Sequence, residues 1–207
     1  MKIAITTMDD PLVTNDFIKT FAKKTKHSIS AIIVSNSGQF SKVSKKGTSF
    51  DFKIPVSLFI ISGLYNSLIY FLKFLDYRIR NILEYYFTLE NSKSLKLFCH
   101  KKKIDYYEVK SVCNSEALSI ISDLEVDVIF NQAQEFLTSK FLESPKIGVL
   151  NRHNSILPNY RGRLAPFWVL KNQESHTGVT VHVINEEIDR GPIVVQKRFK
   201  ISKEETY

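Results

Sequence analysis

The 207-residue sequence predicts a single α/β domain, a mostly parallel sheet with flanking helices. Three observations carry that expectation. Two short apolar, β-branched runs, KIAIT at 2–6 and HSISAIIVS at 27–35, have the composition of strands buried on both faces. A helix-spaced segment lies between them, so they meet in parallel through a crossover. The strand–helix alternation then resumes after residue 90 and continues to the last strand-like run. At this length one good core can be buried. The 43% hydrophobic and 24% charged content excludes disorder along the whole chain.

Taken in order, the first strand leads into the loop TMDDPLVTND and then NDFIKTFAKK, where Phe17, Ile18 and Phe21 have helical spacing. Asn15 is the expected N-cap. No G-x-G-x-x-G follows the first strand and no G-x-x-x-x-G-K-[ST] occurs, which removes the usual support for dinucleotide or P-loop nucleotide binding. Residues 36–53 are polar and read as a loop.

The next stretch differs in character. From Val56 to Leu72 there are 17 residues without a charge, short of the ~20 that a spanning helix needs. Ser62, Asn66, Ser67, Tyr70 and Lys73 form a weakly polar stripe, and Arg78 and Arg80 would suit a headgroup layer. Residues 54–88 are therefore expected to be a hydrophobic helical insertion. A helical pair packed on the domain or on a partner, an interfacial membrane helix through 56–80, and a true span all stay open.

Downstream, NSKSLKLFCHKKK reads as a helix, DYYEV as a strand, NSEALSIISDLE as a capped helix and VDVIFN as a buried strand. SKFLESP is a short helix, IGVLNRH a strand, APFWVLKNQE a helix, TGVTVHVIN an alternating strand, EEIDRG a turn and PIVVQKRFKI a last strand. No internal repeat or low-complexity tract occurs.

The net charge of +8 is unevenly placed, with 13 Lys/Arg against 6 Asp/Glu between residues 41 and 110. Such a surplus suits nucleic acid, anionic lipid or phosphorylated substrates, and equally a solvated Lys-rich surface. Cys99 and Cys113 form no C-x-x-C pair and have no His at metal spacing, so buried free thiols are expected and no metal site is. The opening MKIAITTMDD has the character of a strand and not of a signal peptide, so a cytoplasmic protein is expected.

The chemistry concentrates in NRHNSILPNYRGRLAPFW at 151–168. Asn151 and His153 end a strand, where open α/β sheets form ligand sites, and their i, i+2 spacing points both side chains to one face. Pro158 and Gly162 close a turn, and Pro166 starts the next helix. Asp189 lies in EEIDRG beside Gly191 and meets His153 if their strands are neighbours. Asn donates to a developing oxyanion, His moves a proton near neutral pH, and Asp holds the imidazole. That equipment serves acyl transfer to an amine without a protein nucleophile. On composition alone, a satisfied core histidine and an ordinary turn fit the same residues.

The run NRHNSILPNYRG…TGVTVHVINEEIDRGPIVVQ strongly resembles the folate-dependent formyltransferase family, which includes glycinamide ribonucleotide, methionyl-tRNA and amino-sugar formyltransferases. The family pattern N-x-H-x-S-x-L-P, a basic or aromatic pair with Gly, G-x-T-x-H, and Asp-x-Gly before a strand with Gln is present in order, ending at Gln196. The resemblance covers about 126–200, more loosely the first strand and helix, and nothing over 36–100. It implies a Rossmann-like fold and one-carbon transfer from 10-formyltetrahydrofolate to a primary amine.

By the same resemblance, Asn151 would polarise the formyl oxygen, His153 would help and shuttle the proton, and Asp189 would orient His153 and assist proton transfer through water. Gln134, Glu135, Phe136 and Leu137, with Asn185, Glu186, Glu187 and Ile188, would offer backbone groups to the folate. Ser155, Arg161 and Gly162 would shape the mouth. Thr180 has the plain alternative of alternating on its strand, and His182 is expected to do only that. Arg152 stands where the family usually has an aliphatic residue, and Asn154 where Pro or Gly is common; both would alter substrate fit. Because the family continues into a further helix after ISKEETY, a trimmed or incomplete chain is expected, with sheet surface left open to oligomerisation.

Among members, methionyl-tRNA formyltransferase would carry a C-terminal barrel and the hydrolases an N-terminal regulatory domain, while glycinamide ribonucleotide chemistry needs no uncharged stretch. Elimination leaves an amino sugar on a nucleotide or lipid carrier as the expected acceptor. The protein would then work in the cytoplasm or at the inner face of the membrane. tRNA, glycinamide ribonucleotide, hydrolysis and a non-catalytic folate-binding module stay as alternatives.

Overall fold

The computed structural model describes residues 1–10, 13–36, 63–73, 75–77, 79–80, 83, 94–202 and 205. Its strands are β1 (Lys2–Met8), β2 (Ser28–Ser35), β3 (Asp105–Val109), β4 (Val128–Asn131), β5 (Gly148–His153), β6 (His176–Val183) and β7 (Ile193–Lys200). The helices are α1 (Thr14–Lys24), α2 (helical backbone at 63–73, 75–77 and 79–80), α3 (Leu95–Lys102), α4 (Ser115–Leu124), α5 (Ser139–Leu142) and α6 (Ala165–Lys171).

The strands form a seven-stranded sheet in the order β3-β2-β1-β4-β5-β6-β7. Pairings from β3 through β5 are parallel, and β6 and β7 are antiparallel. The expected mostly parallel α/β sheet is thus observed. Its order reverses between β1 and β4, the switch point at which such sheets open a crevice.

Each face of the sheet is covered because each side of its central strands is apolar. Ala4, Ala31, Ile33, Ile129 and Val149 pack against Ala117 and Ile121 of α4 and Phe141 of α5. Ile3, Ile5, Ile32, Val34 and Phe130 pack against Ile18 of α1 and Leu95, Phe98 and Cys99 of α3. The Phe21 and Phe130 rings stack with centroids 5.1 Å apart. β7, at the edge, is exposed along its whole length.

The helix ends show how local sequence sets the elements. The Ser94, Asn114 and Thr138 side chains accept from backbone amides at the starts of α3, α4 and α5. At α1 the expectation is corrected. Val13 is the N-cap, and Asn15 is buried within the helix with its amide donating to Asp9 at 2.8 Å. The Asp10 carboxylate does the capping, accepting from the Thr14 amide at 3.3 Å and its hydroxyl at 2.9 Å. A longer reach from the preceding loop outcompetes the nearer Asn15.

The loop expected at 36–53 lies outside the described residues except for Asn36, as do Ser62, Arg78 and much of the 54–88 insertion. Among the described residues no helix is long and apolar enough to cross a membrane. Of the two thiols, Cys99 is buried as expected, but Cys113 is only partly so. Burial pushes the Cys99 thiol up to about 12, with Lys19 opposing.

Candidate active site

A row of polar side chains crosses the sheet at the carboxyl ends of its parallel strands. Thr6 of β1 is in register with Asn131 of β4, Asn131 with Asn151 of β5, and Asn151 with His182 of β6. Alternation puts all four on one face. The first pair is internally satisfied: the Thr6 hydroxyl donates to Asn131 Oδ1 at 2.8 Å, and the Asn131 amide folds back on Ala133. Gln132 Nε2 donates to Asn151 Oδ1 at 3.3 Å, which leaves Asn151 Nδ2 turned toward His182, 3.4 Å from its Nε2. An amide donor is therefore presented at the strand end by a neighbour that occupies its oxygen.

Asp189 completes the cluster from the β6–β7 turn. One carboxylate oxygen lies 3.4 Å from His153 Nδ1, the other 3.4 Å from His182 Nε2. Oδ2 also accepts the Gly162 amide at 2.7 Å, and the Asp189 carbonyl accepts from Arg161 Nε at 3.2 Å. Burial pulls the Asp189 carboxyl up. The hydrogen bond from His182, the Gly162 amide and the two nearby imidazoles outweigh it and hold the carboxyl below its ordinary value.

His153 Nε2 faces the Tyr160 carbonyl at 2.7 Å, while Nδ1 faces Asp189. Both partners accept hydrogen bonds, so the ring satisfies both at once only when both nitrogens carry protons. Tyr160 takes a left-handed backbone conformation with φ of 56°, and its carbonyl also accepts from Ser155 Oγ.

The separated motif pieces converge here for structural reasons. Thr180 Oγ1 donates to the Ser155 carbonyl at 2.7 Å and accepts from the Leu157 amide, and Gln196 Nε2 reaches Thr180 Oγ1 at 2.8 Å and the Leu157 carbonyl at 3.0 Å. β6 and β7 thus clamp the turn after His153. Gly191 allows the approach that brings Asp189 in: a Cβ there would lie 1.8 Å from the Val183 carbonyl oxygen.

Several expectations are refined. Asn151, His153 and Asp189 are brought together. Ser155 is fully buried and holds the 159–160 backbone, so it does not line the mouth. Arg161 and Gly162 bind the Asp189 turn. His182 does more than alternate along its strand, being the second imidazole on Asp189; Thr180 likewise has a structural task. The missed signals were the antiparallel register opposite Asn151 and Gln132 directly after β4.

Of the two loops expected to hold the folate, 134–137 and 185–188, the second is tied to the start of α5 by Ser139 Oγ donating to Glu186 at 2.9 Å. Phe136 is 90% exposed and Ile188 61%, two large apolar side chains left open to solvent in these loops. The Glu135 carboxylate turns inward, accepting from the hydroxyls of Ser35 and Ser111 and the Val112 amide. Asn185 Oδ1 accepts from the Glu187 amide, and Gln134 Oε1 from Arg163.

Arg152, between the two site residues on β5, points to the opposite face, with its guanidinium carbon 3.9 Å from the centre of the Phe17 ring. Its Nε is buried without a partner. Burial pulls the guanidinium below its ordinary value, with Asp10 opposing.

Comparison with known proteins agrees with this architecture. Residues 1–207 match the family model described as formyl transferase. The chain is 37% identical over 122 residues to the bifunctional polymyxin resistance protein ArnA of Wigglesworthia glossinidia brevipalpis, covering 58% of this chain and 18% of that protein. It is 34% identical over 114 residues to methionyl-tRNA formyltransferase of Thermotoga maritima, covering 55% of this chain and 36% of that one. The phosphoribosylglycinamide formyltransferase structure from Bacillus halodurans superposes with a TM-score of 0.62 at 16% identity, covering 100% of this chain and 83% of that one.

Proposed function

The chain belongs to the formyl transferase family, and from that premise we propose that it transfers a formyl group from 10-formyltetrahydrofolate to a primary amine. The observation that carries this reading is the Asp189 carboxylate shared by His153 and His182 beside the Asn151 amide. Held between the loops at 134–137 and 185–188, the folate would supply the formyl carbon, whose bond to the folate nitrogen breaks as the amine nitrogen bonds to it. The chain's own residues then do the rest. Asn151 Nδ2 donates to the formyl oxygen as charge develops on it, and a donor fixed in advance costs no reorganisation at that moment. His153, turned from the Tyr160 carbonyl, would add a proton-bearing nitrogen and hand that proton to the departing folate nitrogen. Asp189, ionised because its imidazole and amide neighbours favour the carboxylate, holds the imidazolium and receives through water the proton that the attacking nitrogen sheds.

The acceptor we favour is an amino sugar carried on a nucleotide or lipid. The surplus of 13 Lys/Arg over 6 Asp/Glu at 41–110 supports a phosphorylated or membrane-borne partner. Methionyl-tRNA is the second reading, supported by the same surplus and by the Thermotoga maritima relative.

The test mixes the protein with 10-formyltetrahydrofolate and, separately, nucleotide-linked amino sugars, glycinamide ribonucleotide and Met-tRNA, following folate release optically. Release that requires one of these amines identifies the acceptor class. Release without any amine indicates hydrolysis. No release alongside measurable folate binding would sink the catalytic reading in favour of a binding module.

A further inference from the structure

The helical stretch α2 turns its apolar side away from the domain. Leu64, Leu68, Phe71, Leu72, Leu75 and Ile79 recur at spacings of three and four, so they share one face. Each is between 43% and 73% exposed. On the other side, Asn66, Ser67 and Tyr70 are half-buried, and Tyr77 is 6% exposed. The Tyr77 hydroxyl donates to the Asp9 carboxylate at 3.0 Å. This is the reverse of a helix packed on its own core, which buries its apolar stripe.

The anchor also sets location. Asp9 directly follows β1, at the same end of the sheet as Asn151 and His153. The outward apolar face therefore belongs to the end that carries the site.

Charge selects what covers that face. Lys73 is exposed and Arg80, paired with Asp76, keeps its side chain 48% exposed. Among the described residues of α2 they outnumber its one carboxylate, Asp76, so the face is flanked by net positive charge. An anionic bilayer offers hydrocarbon to the stripe and phosphate to the cations at its flank.

We propose that α2 docks the protein on an anionic lipid bilayer, lying along the headgroup layer with its apolar face inward, so that the site works at the membrane surface. Resting on the formyl-transfer reading, this deepens it: the acceptor amine is presented at the bilayer surface on a lipid carrier.

The experiment is cosedimentation of the full chain with vesicles of phosphatidylcholine alone or mixed with phosphatidylglycerol. The wild type pellets with the mixed vesicles only, and less so as salt rises. The exposed double variant L68E/L75E, checked for an unchanged circular dichroism spectrum, stays in the supernatant. Lys73→Glu weakens binding by about tenfold. Absence of pelleting by the wild type, equal pelleting with neutral vesicles, or a concentration-dependent dimer that L68E/L75E abolishes would each overturn docking on anionic lipid. Formyl transfer to a water-soluble amine is measured in parallel and is unchanged in L68E/L75E. If the wild type lacks that transfer yet binds vesicles, the catalytic reading fails while the docking stands.

Discussion

His182 Nε2 lies 3.4 Å from Asp189 Oδ1, while its Nδ1 donates to the Val183 carbonyl at 2.9 Å. With Nδ1 on that carbonyl, the other ring nitrogen faces the site, and it stands at the same distance from Asn151 Nδ2. One imidazole nitrogen therefore touches two site residues.

Replacing His182 with Gln is expected to lower kcat by about 10- to 100-fold, the kinetic equivalent of a hydrogen bond to a charged group. The KM for the amine should change little. Wild-type kcat in the variant would assign His182 to packing only.

Asn151→Ala removes the proposed oxyanion donor and should reduce kcat by about 10²- to 10³-fold with folate binding retained. Turnover and folate affinity measured on the same preparation separate the two effects. Near-normal turnover would refute the role given to Asn151.

Gly191→Ala places a methyl carbon against the Val183 carbonyl, a backbone group that cannot swing aside. The turn must shift and take Asp189 with it. A stability loss of about 1–3 kcal/mol is expected from urea denaturation, together with a fall in kcat. A fully active, equally stable variant would show that the turn has slack.

The lowered Asp189 carboxyl links stability to pH. A group depressed in the folded state stabilises it above the unfolded value, about 3.9, and that stabilisation is lost as pH falls through the lower folded value. The part of the stability difference between wild type and Asp189→Asn that comes from the ionised carboxylate should therefore shrink as pH falls below about 4. A difference that persists undiminished at lower pH would contradict the depressed value.

Arg152 combines a favourable stack on Phe17 with an unpartnered buried Nε. The stack is worth about 0.5–2 kcal/mol and the unmet donor costs about 1–3 kcal/mol. Arg152→Met keeps the cover on Phe17 and removes the donor, so it should lie within about 1 kcal/mol of wild type. Arg152→Ala, which uncovers the ring, should be less stable than Arg152→Met. Equal stability of the two would show that the stem contributes no packing.

By itself the sequence determined the strands and helices of the sheet, because apolar runs of period two and 3.6 state which residues share a face. It also determined that Asn151 and His153 point together, since two positions on one strand need no partner to be aligned. Asp189, His182 and Gln132 lie on other elements, and only the tertiary structure decided that they meet. The antiparallel register of β5 and β6 sets His182 opposite Asn151, and the Gly191 contact with Val183 turns Asp189 inward. The same division holds for α2. Its apolar stripe is legible at spacings of three and four, yet which side faces water follows from the contact between Tyr77 and Asp9. Local periodicity encodes the faces of an element, and long-range packing alone chooses which face is covered.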